Sequence, residues 1–289
     1  MPNLTPFIVT GLALGSVYAL SGMGMVILFR ATGEMNFAMG GVGGIGALIA
    51  WSVLDAGYPM VLALAAAVVS ATALSAAYGV IVSPRLAHRS TIVKGVATLG
   101  LALMLYGVML WIWSDDPRRL RIPIDFLTFS MGGVRVTGTR TLAFILCIGF
   151  AIGVTLLLNR TRLGLTMRAL ADNRDLSALL GIKVERTAAV AWLLIGIFSG
   201  FVGLLLASLV RLDAGVLTFL VIPGVAAAIL GRLQNLWWAL IGGLFIGVVE
   251  ACLTPFTLLA PYRTLTPFLI ALIFLSLQSG RAFATSRRI

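Results

Sequence analysis

Charge is scarce in this sequence: Asp, Glu, Lys and Arg together make up 11% of 289 residues, about half the share carried by a soluble domain. Lysine occurs twice, at Lys94 and Lys183, and histidine once, at His88 in a connection. There is no Gly-Lys dipeptide, so no phosphate-binding P-loop can be built from this chain. Paired carboxylates inside the apolar segments are also lacking, which argues against a membrane enzyme; no catalytic residue and no metal-ligand set is assigned. Cys147 and Cys252 lie in separate apolar runs without metal-type spacing and read as small core residues. No cofactor is expected in this chain.

Hydrophobic residues, by contrast, make up 60% of the sequence. A helix needs about 20 mostly apolar residues to cross a hydrocarbon core ~30 Å thick, and the chain offers many such runs. The runs are continuous rather than alternating, which excludes a transmembrane barrel. The expected fold is an all-α polytopic membrane protein with about 8–10 transmembrane helices, forming a single domain over 1–289. The opening "MPNLTPFIV" lacks the basic start of a signal peptide, so the first span is expected to stay. A net charge of +11 would suggest nucleic acid as partner of a soluble protein. Here it reads as topology and contact with anionic membrane lipid, with no nucleic acid involved.

Nine apolar segments can be marked, at 6–29, 36–54, 59–82, 92–113, 141–158, 189–210, 215–230, 236–254 and 263–280. The second is so rich in glycine that a broken or re-entrant course is open to it. With all nine crossing and the first connection inside, 14 Lys and Arg face the cytoplasm and 7 face outward. That bias predicts the N-terminus outside and the C-terminus inside. The exception is the outer loop 114–140, which is long and basic and in which "VRVTG" alternates like a short strand. Its arginines either pair with Asp115, Asp116 and Asp125 or with lipid headgroups, or else serve a partner.

Between segments five and six lies a polar, basic stretch, 159–187. Ala, Leu, Met and Arg dominate 162–171 and favour helix. "DNRD" then interrupts, where Asp172 or Asn173 can cap a second short helix with Asp175 in its first turn and Gly181 at its end. The result is a rigid cytoplasmic projection, or, on local features alone, an interfacial hairpin with no partner.

Asp175-Leu176-Ser177 followed by Gly181 keeps the spacing of the Glu-Ala-Ala-x-x-x-Gly loop of ABC importer permeases, with Asp175 in place of the glutamate. More broadly, "GLALGSVYAL", "TGEMNFAMG", "ATLGLALML", "RTRLGLTMRALADNRDLSALLGI" and "ALIGGLFIGVVEA", spread through most of the chain in family order, resemble the permease subunits of branched-chain amino-acid ABC importers. The resemblance implies a coupling helix, carried here by Arg174, Asp175, Leu176, Ser177 and Gly181, that docks on a cytoplasmic ATPase. It also implies a pair of ATPase subunits, a second permease subunit, identical or homologous, and an extracytoplasmic substrate-binding protein. Arg118, Arg119 and Arg121 become candidates for docking that protein. Branched-chain amino acids are the family's commonest cargo, and urea or short-chain amides travel through close relatives. Two departures are visible: "NFAMG" stands where members often read "NFAHG", and "GRLQNLWWA" stands where they read "GGLGSIPGA".

An ion-coupled secondary transporter is the rival reading. Such carriers place ionisable residues within their spans, whereas here Glu250 stands four residues from an outer end, read as an interfacial carboxylate or else as one lining the pathway, and Glu34 lies in a connection. Sodium coupling through backbone carbonyls stays open. "GEMNF" (33–37) and "GVLTF" (215–219) share a pattern, and each opens a short segment interrupted further on by "MGGVGG" or "IPGVAAA". Segments 1–4 and 6–9 would then be inverted copies. Paired broken segments point to a transport pathway, which places Asn36, Phe37, Thr218 and Phe219 beside it.

Overall fold

The computed structural model describes residues 4–114, 116, 118–120, 128–131, 134–219 and 221–286; at 129–131, 134, 135, 174, 175 and 278–286 it describes the backbone alone. Four helices come first: α1 (Thr5–Thr32), α2 (Met39–Asp55), α3 (Met60–Ile81) and α4 (Thr91–Trp113). A two-stranded antiparallel hairpin, β1 (Thr128–Met131) with β2 (Val134–Thr137), then leads into α5 (Gly138–Arg160). Two short helices, α6 (Arg162–Asp172) and α7 (Arg174–Leu179), precede α8 (Val184–Leu209). The chain continues through α9 (Ala214–Phe219), α10 (Val221–Leu230), α11 (Leu236–Leu253) and α12 (Thr266–Ser286). The "VRVTG" stretch thus contributes one strand of this hairpin, and the other regular elements among the described residues are helices.

Seven helices among the described residues are long and apolar enough to cross a membrane, and the two shorter apolar stretches Met39–Asp55 and Ala214–Leu230 fill the places of segments two and seven. Local chemistry sets the ends. Pro6 stands in the first turn of α1, where its missing N–H costs nothing, and Gly33 closes the helix in the left-handed region at φ 70°. Ser90 caps α4, and Asn235 caps α11 by accepting from the Trp237 and Trp238 N–H groups at 3.0 and 3.3 Å.

Packing arranges these helices as two matched sets. α1 lies along α11 as α8 lies along α3; α1 meets α10 as α8 meets α2; α2 packs on α3 and α4 as α10 packs on α11 and α12. α1 and α8 touch each other at the centre, and α2 meets α9. Glycine makes the close seams possible. A methyl group on Gly11 would fall 2.6 Å from the Val248 Cα, and one on Gly196 would fall 2.6 Å from the Thr72 Cα. With no hydrophobic drive between helices in lipid, such backbone approach is a main source of association. Gly149 and Gly153, spaced in the same way on α5, have nothing within 4 Å of the Cβ position, so this pair does not serve packing within the chain.

The glycine run of segment two does not break its helix. α2 is continuous from Met39 to Asp55, and its glycines face other elements: Gly40 the Thr218 carbonyl, Gly43 the Ser199 carbonyl and Gly46 the Ala67 carbonyl. The irregular stretch lies just before it, at 34–38. Segment seven is described as α9 and α10 on either side of residue 220, which lies outside the described residues.

Candidate functional site

The stretch 33–38 is laced to its surroundings by short polar side chains. The Asn36 side chain is buried and its Oδ1 accepts from the Ala38 N–H at 2.9 Å, forming an Asx turn just before α2. Thr98, on α4, receives the Phe37 N–H at 3.2 Å and donates to the Met35 carbonyl at 2.7 Å. Below this, Ser83 donates to Glu34 Oε1 at 2.8 Å, and Lys94 Nζ stands 3.9 Å from the same oxygen. Both charged side chains are buried. The Phe37 ring, half-buried, covers Gly95.

The matching stretch of the second set is built differently. Asp213 Oδ1 accepts from the Val216 N–H at 2.9 Å and starts α9. Thr218 is buried, donates to the Ala214 carbonyl at 2.8 Å and lays its own carbonyl against Gly40, which brings the two irregular regions together. Phe219 is half-exposed, stacks at 6.0 Å on Tyr106 and lines a cavity of about 260 Å³. Of the four predicted pathway residues, Asn36 and Thr218 are therefore buried by their own local hydrogen bonds, and Phe219 faces open space.

On the far wall of that cavity stands Glu250. It is 9% exposed and accepts a hydrogen bond from the Tyr18 hydroxyl at 2.9 Å. Glu250 is buried within the protein because α11 is drawn against α1 by Gly243 and Gly247 and carries it in. An ionisable residue inside an apolar segment was a visible signal; its partner, 232 residues away, was not.

The basic stretch between α5 and α8 folds as an elbow. Thr161 caps α6 by accepting from the Gly164 N–H at 3.1 Å, and Asn173 rather than Asp172 caps α7, accepting from the Leu176 N–H at 2.9 Å. The end of α7 is a Schellman turn: the Ile182 N–H donates to the Ser177 carbonyl, the Gly181 N–H donates to the Ala178 carbonyl, and Gly181 takes φ 87°. Gly164, Met167 and Leu170 are buried and tie α6 to α1 and α5. On the other side Leu176, Leu179 and Leu180 stand 53%, 86% and 75% exposed. Ser177 is buried, and the side chains of Arg174 and Asp175 lie outside the described residues.

In the loop 114–140, Arg118 is already engaged. It pairs backbone to backbone with Leu212, its guanidinium lies 4.7 Å over the Trp51 ring, and Nη2 is 3.9 Å from Asp116. Arg119 is exposed and shares the lining of an open cavity with Arg211, while Arg121 lies outside the described residues.

Comparison with known proteins agrees with this architecture. The family described as "Branched-chain amino acid transport system / permease component" matches residues 7–277. The chain is similar to the high-affinity branched-chain amino acid transport system permease protein BraD of Pseudomonas aeruginosa, at 28% identity over 282 residues covering 87% of each chain. It is similar to the corresponding LivH protein of Escherichia coli K12 at 25% identity over 291 residues, covering 93% of this chain and 92% of LivH. The ribose import permease protein RbsC of Escherichia coli K12 is 26% identical over 243 residues, covering 81% of this chain and 74% of its own. The chain therefore belongs to the family of branched-chain amino acid transport permease components, as a multi-pass transmembrane subunit of an ABC importer.

Proposed function

We propose that this subunit carries branched-chain or closely related aliphatic amino acids across the cytoplasmic membrane by alternating access, driven by ATP hydrolysis in partner subunits. The whole chain, 1–289, acts as one permease domain without ATPase activity or a cofactor of its own. Its N-terminus lies outside and its C-terminus inside. A second permease subunit, identical or homologous, completes the pathway, and an extracytoplasmic binding protein delivers cargo to the outer face.

The observation that carries this reading is the elbow of α6 and α7. It has caps at both helix starts, a buried inner face on α1 and α5, and three leucines turned outward. A projection fixed so firmly to the central helix and so apolar at its tip suits docking into a groove of an ATPase, where exposed leucines would be covered. Isolated purified chain should hydrolyse no ATP, whereas the complex with its ATPase should do so and should take up labelled leucine from a loaded binding protein. Uptake driven by a sodium or proton gradient without ATP would instead identify an ion-coupled carrier.

A further inference from the structure

The cavity beside α9 and α10 has a chemistry that narrows the cargo. Its walls are mostly apolar, with Phe219, Ile222, Pro223 and Phe268 among them, and its polar side chains are Tyr18, Glu250 and Thr264. Tyr18 engages Glu250 Oε2, and among the described residues neither a hydrogen bond to Oε1 nor an ion pair to the carboxylate is formed. A buried carboxylate in such walls is costly without a cationic partner.

We propose that this cavity is a cargo subsite in which Glu250 receives the ammonium group of an aliphatic amino acid while the apolar walls receive its side chain. The proposal rests on the amino-acid reading above and assigns the residue that recognises the charge. A volume of about 260 Å³ suits one small molecule and not a peptide. A sugar would bring many hydroxyls to a surface with three polar side chains and would leave most of them unpaired. Glu250 sits in the last turn of α11, at the end that meets the start of α12, which is the outer end in the proposed orientation. Cargo leaving a binding protein would meet this subsite early.

The test uses the whole chain in its complex, with Cys147→Ala, Cys252→Ala and Val216→Cys, so that a single thiol reports occupancy of the cavity. L-Leucine and isoamylamine should slow its reaction with a polar thiol reagent, and 4-methylpentanoate, which lacks the ammonium, should not. Glu250→Gln keeps an acceptor for Tyr18 and so preserves any purely structural role. It should nevertheless raise the half-protecting amine concentration about tenfold, as loss of a charged hydrogen-bond partner does. In the complex with native residue 216, Glu250→Gln should slow leucine uptake about tenfold at unchanged ATPase recovery, and Glu250→Asp should retain part of it. Equal protection by 4-methylpentanoate, protection by ribose in place of the amine, or undiminished protection and uptake in Glu250→Gln would overturn the assignment. A wild-type complex that takes up no branched-chain amino acid, together with a Val216→Cys complex protected by isoamylamine through Glu250, would overturn the proposed function and leave the subsite standing.

Discussion

The two irregular regions of this molecule occupy matching places in two matched sets of helices, yet they are filled in opposite ways. At 33–38 the gap before α2 is closed by Thr32, Glu34, Ser83, Lys94 and Thr98, a compact group of hydrogen bonds around a buried ion pair. Beside α9 and α10 the walls are aromatic and aliphatic, a cavity remains, and a carboxylate stands at its edge with a tyrosine as sole hydrogen-bond partner among the described residues. The first region is thus plugged by polar side chains, while the second, which touches it where Thr218 meets Gly40, keeps a cavity. Matched backbones do not require matched chemistry: the paired packing of α1 with α8 sets the frame, and a few polar side chains decide which of the two regions is filled.

The strongest way to break this contrast is to open the plug. Lys94→Met removes the cation 3.9 Å from the buried Glu34 carboxylate, and removing one partner of a buried pair costs about 3–5 kcal/mol. The expected result is a sharp loss of thermal stability for the purified subunit, followed by fluorescence or by loss of a monodisperse peak on size exclusion. Glu34→Gln combined with Lys94→Met should recover part of that loss, since no charge is then stranded. Equal stability of the single variant and the parent would mean that the pair does not hold the plug.

Next in size is the glycine seam. Gly203 crosses Gly43 with the two backbones in contact, so Gly203→Ala forces α8 away from α2 and should cost about 1–3 kcal/mol. Gly149→Ala and Gly153→Ala meet open space and should change stability by less than about 0.5 kcal/mol. The same comparison sharpens what sequence could supply. Nine apolar segments and the capped elbow were legible, because run length and the local chemistry of Thr161, Asn173 and Gly181 act within a few residues. The glycines of α2 were ambiguous, since glycine weakens an isolated helix but also permits close crossings in a membrane; only Thr218, Ser199 and Ala67 show which role applies. Tyr18 with Glu250, and Arg118 with Trp51, join residues far apart in the chain, and no local pattern announces such pairs.

The elbow offers a third, smaller effect. Gly181→Val places a β-branched side chain at φ 87°, which costs about 1–2 kcal/mol in a left-handed conformation and should loosen the turn that presents Leu179 and Leu180. Recovery of the ATPase with correctly inserted variant should fall several-fold. Full recovery together with full transport would exclude 174–181 as the coupling element. A gain is expected at the turn before α11, where Arg232 and Leu233 adopt φ 52° and 55°, and where the resembling permeases carry glycine at the first of these. Arg232→Gly should raise stability by about 1 kcal/mol, read as a higher melting temperature, because an exposed arginine is being held where glycine rests without strain.

The smallest expected effect lies on the outer loop, and there the structure separates Arg118 from Arg119, two of the three arginines that the sequence grouped. Arg118 is held on Trp51 and beside Asp116, so its removal should disturb the packing of the loop on α2 more than any partner. Arg119 is exposed and lines one cavity with Arg211; on the proposed outer face, two guanidinium groups would attract carboxylates on a docking protein. At an interface rim such charges act on encounter more than on dissociation and are screened by salt. Arg119→Ala should therefore slow association of the binding protein about two- to threefold at low ionic strength and flatten the salt dependence of the rate, with dissociation nearly unchanged. Arg118→Ala should instead lower stability and leave the salt slope alone. Stopped-flow association at low and high salt separates the two. If the slopes of both variants match the parent, docking runs over another part of the outer face, and the excess positive charge of 114–140 belongs to lipid headgroups.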